Sequence, residues 1–371
     1  IISIRIGFLH NDRLGHFTVN TELYLCKKLI DGKKDSSNLD LFYLPRISCN
    51  KELEKLWKKQ LIILPYFFLR PVDLIFRSFK IFKTFTCKLT ENNDRDVLNL
   101  IDKTNPNIIL DDKFVSKAKK QLVRLLPNNK KFICIICRDS AYLDEISGRE
   151  NITYHDYRNT DINKFNLVAE EFTNRGLYVI RMGSKVNQDF KTNNPMIIDY
   201  ANSSYRSEIL DIFLGANCEL CISTGTGFDG IPLIFRRPVA YVNYAPLCYA
   251  QVSSKKQMFI PRHCYSNKLN RKLTAKEIYS IPSCNGHRSE QYVKDNISLI
   301  DNTPEEILNV SIELFLRNNN EWNEHSEDSE LQNKFWSSFP KEMVFNDIKL
   351  FGNIKGRIGS EFLRENIWWL D

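Results

Sequence analysis

The chain has 371 residues, 43% hydrophobic and 26% charged, the balance of a soluble globular protein large enough for two cores of ordinary size. A net charge of +7 suits phosphorylated ligands or anionic membrane surfaces but is too small for a nucleic-acid-binding face, and no nucleic-acid-binding motif accompanies it. No run approaches the ~20 apolar residues of a membrane span and no secretory leader is visible, so a cytoplasmic protein is expected, one that begins inside a longer chain because Ile1 enters a strand directly. In chain order, Ile1–Phe8 reads as a strand, His10–His16 as a polar loop, Thr18–Leu29 as a helix and Leu39–Leu44 as a second strand, the opening of a parallel α/β domain. Leu53–Lys59 reads as a helix and Leu61–Leu64 as apolar. Pro65 and Pro71 bracket an aromatic run, and Asp73–Phe85 mixes apolar residues with Arg77, Lys80 and Lys83. Arg95–Asp102 is expected to be helical, Asn107–Leu110 a strand, and Lys113–Leu126 a basic amphipathic helix.

The polar turn Asn128–Lys131 marks a boundary between residues 1–127 and 128–320, with 321–371 as a terminal segment. Beyond it, Phe132–Cys137, Tyr178–Arg181, Met196–Asp199, Glu219–Ser223 and Val239–Tyr244 read as strands. Helices are expected over Ile162–Asn174, Ser207–Gly215 and Phe228–Arg236, which makes a doubly wound unit. A loop-rich segment follows Leu247, and helices are expected over Pro304–Arg317 and Phe351–Leu370. Cys134 with Cys137, and Cys218 with Cys221, have the spacing of metal ligands but lie inside strands, where residues three apart face opposite ways. Buried thiols in a reducing compartment, with no metal, are the expectation.

Three strand ends carry polar payloads: Arg138-Asp139-Ser140, Arg181-Met182-Gly183 and the loop Ser223-Thr224-Gly225-Thr226-Gly227. If the strands are parallel, all three fall along one rim, where small residues let backbone amides approach an anion and arginines hold a diphosphate. Arg138, Arg181, Gly183 and Ser223–Gly227 are therefore the candidate donor-binding residues. His155, Asp156, Tyr157 and Arg158 read as the wall of a sugar or acceptor pocket, or as a loop packed by its own hydrogen bonds. In the first half, Asp12, Arg13, Gly15 and His16 share one loop, with Asp12 and His16 as the acid/base pair.

Tyr154–Asn159 (YHDYRN), Gly176–Gly183 (GLYVIRMG), Ile198–Ala201 (IDYA), and Ser223–Gly227 with Pro232 and Phe235–Pro238 (FRRP) occur in this order. As a set, together with Arg138–Leu143 and Asp12–His16, they resemble a family of bacterial glycosyltransferases associated with surface-polysaccharide gene clusters. The resemblance implies a GT-B architecture, with two Rossmann-like doubly wound domains facing across a cleft and the last helix returning to the first. It also implies a nucleotide-sugar donor on the second domain and a glycan or lipid-linked glycan acceptor on the first. No cofactor is implied, because arginines and loop amides take the place of a metal at the leaving diphosphate. The alternatives are a non-catalytic sugar- or nucleotide-binding module and an epimerase of the same architecture. Trp57, Tyr66–Leu69 and Arg70–Lys83 read either as the first domain's core or as a patch for peripheral contact with the inner membrane.

Overall fold

The computed structural model describes residues 3–32, 38–139, 153–285 and 288–371, with the backbone alone at 153–155 and 284–285. Strand β1 (Ser3–Phe8) pairs in parallel with β2 (Asn38–Tyr43), which pairs in parallel with β3 (Ile62–Ile63). On its other side, β1 meets Thr86 in a parallel bridge from Ile6, supported by the Cys87 amide donating to the Ile6 carbonyl at 2.8 Å. The chain thus winds outward to β3 and returns across β1, so the strand order reverses beside β1.

The second sheet is built from β4 (Phe132–Ile136), β5 (Tyr178–Arg181), β6 (Ile197–Ile198), β7 (Cys221–Ser223), β8 (Val239–Tyr244) and β9 (Gln257–Pro261). A short antiparallel sheet follows, from β10 (His263–Ser266), β11 (Arg271–Lys272) and β12 (Ile297–Ile300), and β13 (Val344–Phe345) pairs with β14 (Ile348–Lys349). The last strand, β15 (Arg357–Ile358), joins the edge of the large sheet. Its order is then β15-β9-β8-β7-β4-β5-β6, parallel at every pairing. Strands β4, β8 and β9 are buried at every residue, as their unbroken apolar runs require when helices cover both faces. The strand order reverses between β4 and β7.

Phe17, Leu23 and Trp57 from the first half and Ile133, Ile231 and Phe259 from the second belong to one contiguous buried core. Polar contacts reinforce this junction. Arg236, with φ at 59°, pairs with the fully buried Glu22 at 2.7 Å and donates to Thr104 Oγ1 and the Asn105 carbonyl at 3.0 and 2.9 Å. Glu208 seats the start of the Lys51–Trp57 helix, its carboxylate accepting from the Lys51 amide at 2.7 Å.

Several elements differ from expectation. Arg95–Asp102 is helical only at Leu100–Lys103, because Arg95 turns away to donate to the carbonyls of Tyr249, Ala250 and Leu350. Asn107–Leu110 forms no strand, and the segment after Leu247 is not loop-rich but adds β9 to the large sheet. The helix expected over Phe351–Leu370 is cut to Ser360–Glu365 with a 3-10 turn at Ile367–Leu370, because Arg357–Ile358 is taken into the sheet. This terminal helix contacts the Pro304–Asn318 and Asp328–Ser338 helices, and Trp369 stacks on Phe335 at 5.6 Å. Contact with the chain's earlier part comes instead from the preceding loop, where the Leu350 and Asn353 carbonyls accept from Arg95 and Asn99.

Arg236→Ala leaves Glu22 as a buried carboxylate without its cation, and the expected cost is about 3–5 kcal/mol in urea denaturation. Adding Glu22→Gln removes the stranded charge, so the double variant is expected to be more stable than Arg236→Ala alone.

Candidate functional site

Ligands of open parallel sheets collect outside the carboxyl ends of the strands, where the strand order reverses. In the large sheet that point lies between β4 and β7, and the two strand ends are tied there. Thr224 donates its amide to the Ile136 carbonyl at 3.2 Å, and its hydroxyl accepts from the Arg138 amide at 2.9 Å. Arg138 and Ser223–Gly227, expected on one rim, are adjacent.

The loop's own amides are partly committed. Gly225 donates to Ser223 Oγ at 3.0 Å and Thr226 donates to Asp229 Oδ2 at 2.7 Å, the carboxylate that also accepts from Ser223 Oγ at 2.7 Å. Gly227 and Phe228 are the next amides in line beyond these. Asp229, which the sequence reading passed over, is therefore the loop's internal brace. Burial pushes its carboxyl up to about 6, against the opposing pull of the Ser223 and Thr226 hydrogen bonds and the Arg158 charge. The helix expected from Phe228 to Arg236 is only five residues, Gly230–Ile234, so its dipole adds little to anion binding.

The arginines divide into two kinds. Arg181 is buried and paired with Asp199 at 2.9 Å, with its Nε and Nη2 unpartnered among the described residues. It stands beside Cys137, whose thiol burial pushes up to about 12 despite that charge. Arg262, also buried, pairs with Asp301 at 2.9 Å and donates to the Tyr157 and Asn159 carbonyls and to Thr160 Oγ1. It clamps the segment carrying Arg158, and sequence reading missed it. The available signal was its position directly after an apolar strand, like Arg138 and Arg181. Arg158 differs from both. It donates to the Gly225 carbonyl, has no carboxylate partner among the described residues, and keeps a buried Nε without a hydrogen bond. Nearby, Thr226 Oγ1 is buried and has no hydrogen-bond partner among the described residues.

The remaining candidates are scattered in role. Gly183 serves close packing, since a Cβ there would lie 2.8 Å from Val186 and 3.0 Å from Ala201. Tyr157 is buried with its ring 5.1 Å from that of Tyr292, Asp156 is exposed and accepts from Asn159, and the His155 side chain and Ser140 lie outside the described residues. A hollow lined by Tyr244, Arg262, Cys264 and Tyr292 adjoins this cluster.

The first half brings its own strand-order reversal to the same place. The helix expected from Thr18 begins at Leu14, which puts Gly15 and His16 in its first turn. A Cβ on Gly15 would stand 3.3 Å from the Gly227 Cα, and one on Gly230 would stand 2.2 Å from Thr18 Oγ1. The two loops touch backbone to backbone. On the outer side of this contact, His10 and His16 lie 5.8 Å apart between ring centroids, Asp12 sits 3.5 Å from Arg46, and Arg13 is exposed. The loop is held by Asn11, fully buried, which donates to the Arg46 carbonyl and to Ser48 Oγ. Burial, then the charges of His16 and Arg13, hold His10 below the usual imidazole range, with Asp12 opposing. Held neutral in this way, the His10 imidazole is able to accept a proton, in the same loop as Asp12 and His16.

Of the cysteines, Cys134 pairs in register with Cys221, and burial, with the neighbouring Cys218, raises both thiols well above their usual range. No group of side chains suited to a metal occurs among the described residues. Cys248 is disulfide-bonded, which departs from the expectation of a reducing compartment.

No protein-family profile and no curated protein matches the sequence. Among solved structures, the chain is similar to a glycosyl transferase of family 9 from Veillonella parvula, at 11% identity over 85% of this chain and 97% of that one, with a TM-score of 0.49. It is also similar to E. coli ADP-heptose lipopolysaccharide heptosyltransferase II, at 10% identity over 85% and 99%, with a TM-score of 0.44. A third similar structure is the E. coli heptosyltransferase WaaC with ADP-2-deoxy-2-fluoro heptose, at 10% identity over 79% and 99%, with a TM-score of 0.35. Likeness at this level decides nothing about chemistry.

Gly230→Ala forces a methyl into Thr18 Oγ1, whose hydroxyl is already spent on the Leu14 and Gly15 carbonyls. A cost of about 1–3 kcal/mol is expected in chemical denaturation. Asp229 gives a pH signature. Its folded-state pKa lies above that of a free carboxyl, so the folded state binds this proton more tightly. The stability it contributes is full below about pH 4 and is lost as pH rises through about 6. Comparing urea midpoints across that window, Asp229→Asn is expected to flatten the decline seen in the wild type.

Proposed function

We propose that the chain is a glycosyltransferase that moves a sugar from a nucleotide-sugar donor to a surface-glycan or lipid-linked glycan acceptor without a metal. The observation that carries this reading is the seating of Gly15 on Gly227. It sets a loop from one parallel sheet against a loop from another, each beside a reversal of strand order, and such points are where α/β sheets hold nucleotides. The sequence resemblance to bacterial surface-polysaccharide glycosyltransferases supports the same class of reaction.

In this reading residues 128–320 hold the donor and residues 1–127 face the acceptor, in the manner of a GT-B enzyme, with 321–371 bracing the donor side. The diphosphate lies against Arg158, Arg138, Thr226 Oγ1 and the amides of Gly227 and Phe228. Their fixed charge and dipoles stabilise the diphosphate as its bond to the sugar breaks, which is the task a metal performs elsewhere. Arg181 and Arg262 act one step back, because their charges are already shared with Asp199 and Asp301. Across the Gly15–Gly227 contact, Asp12 or His16 takes the proton of the acceptor hydroxyl, and the neutral His10 is placed to relay it. The donor and acceptor chemistry fits work on the cytoplasmic side of the inner membrane.

Arg158→Gln is expected to lower nucleoside diphosphate affinity by about 10–100-fold in titration calorimetry, with the unfolding midpoint near that of the wild type. Unchanged affinity would move the donor elsewhere. Asp12→Asn and His16→Ala are expected to keep donor affinity and lose about 10²–10⁴-fold in turnover. Turnover near wild type in both would remove this loop from the proton transfer and leave a retaining mechanism as the better account.

A further inference from the structure

The Tyr66–Ser78 helix covers the face of the first sheet that points away from the second half. It buries little of itself in doing so. Leu69, Asp73 and the half-buried Phe76 face inward, where Leu69 and Phe76 pack with Ile6 and Tyr43. Asp73 is the single acidic residue between Tyr66 and Lys88, and it is buried, accepting from Tyr43 Oη at 2.8 Å and from Arg77 Nε at 2.7 Å. The outer face is apolar. Phe67, Phe68 and Ile81 are 67%, 64% and 78% exposed, and Leu74, Ile75 and Phe79 are exposed beside them. The following turn, Lys80–Phe85, buries no residue. Arg70, Lys80, Lys83 and Lys88 are exposed, with no salt-bridge partner among the described residues.

We propose that Tyr66–Phe85 is a docking face for an anionic lipid bilayer. A segment with an apolar outer face and interspersed cations has the character of elements that lie in a membrane interface, where rings and aliphatic chains enter the acyl boundary and cations meet anionic headgroups. Exposed apolar area on this scale marks an interaction surface. A second copy of the chain is the poorer occupant, because a two-fold interface would set Arg70, Lys80 and Lys83 against the same cations. The expectation that the whole aromatic run is core fails for a physical reason. Trp57 is fully buried, its Nε1 donating to the Phe17 carbonyl at 3.0 Å, whereas the rings at 67, 68 and 79 have no sheet left to cover.

This inference does not depend on the transferase reading, but it adds to it. Phe8 links the docking face to the candidate acceptor loop, with Arg77 5.2 Å over its ring and His10 5.0 Å from it. An acceptor anchored in the same bilayer would therefore present its headgroup close to His10.

The test is flotation of the full chain with vesicles of phosphatidylcholine alone or with about one-third phosphatidylglycerol. The wild type is expected to partition at least about tenfold better onto the anionic vesicles, an advantage that rising salt removes. Lys80→Gln/Lys83→Gln and Phe67→Ser/Phe68→Ser/Ile81→Ser are each expected to lower that partition by about tenfold or more, with unchanged circular dichroism because all five residues are exposed. Val293→Ser, exposed on the other half, is the control and is expected to bind as the wild type does. Equal partition onto the two vesicles, or variants that bind as tightly as the wild type, would overturn the proposal. So would an apolar variant that splits a dimer in sedimentation velocity while the wild type ignores vesicles, because the face would then join two copies of the chain.

Discussion

The arrangement of this protein depends on a contact that only the absence of side chains permits. Gly15 and Gly227 approach closely enough that a Cβ on either would press on the other's backbone, and Gly230 leaves no room for a methyl beside Thr18. Helix start and loop can therefore pack at backbone distance, and the ends of two separate parallel sheets share one site. Larger residues there would move the loops apart. The position of Leu14 as first helical residue follows from the same contact, because burial against the second half rewards ordering a turn that no side-chain cap supports.

Around this contact, charge is distributed by how much of it is already spent. Arg236, Arg181 and Arg262 are shielded from solvent and paired with Glu22, Asp199 and Asp301. Each of these guanidiniums already shares its charge with a carboxylate, so these residues are structural in the first instance. Arg158 is tied by a neutral carbonyl and has no carboxylate partner among the described residues. Its field reaches Tyr157, Tyr244, Tyr249 and Asp229, acting in each case against the upward push of burial. Burial likewise pushes the neighbouring Asp229 carboxyl up to about 6.

The first sheet has two unlike faces. One shares a core with the second half, and the other carries the Tyr66–Ser78 helix with a small cluster of its own. Phe8 belongs to that second face and yet touches His10, so the site and the exposed helix are separated by a single ring. The fold thus sets the candidate acceptor loop between a charged rim on one side and an apolar, cationic surface on the other.

Much of this was written in the local sequence. The runs FICII, YVIR and VAYVNY specified buried parallel strands, because an unbroken apolar stretch has no solvent side to offer. The polar residues directly after them then fell on one rim by topology alone, which is why Arg138 and Ser223–Gly227 were legible as neighbours. Tertiary structure decided what each of those residues does. Nothing local separates Arg181 from Arg158, since both follow apolar or turn-forming residues, and only the placement of Asp199 and Gly225 pairs one with a carboxylate and the other, among the described residues, with a neutral carbonyl. Asp229 and Arg262 act through partners that are distant in sequence or buried by the fold, and burial is a property of the whole chain. The aromatic run from Tyr66 shows the limit most directly. Periodicity specifies which side chains share a helix face, but whether that face meets a core or solvent depends on how much sheet remains uncovered, which is settled only when every other element has packed.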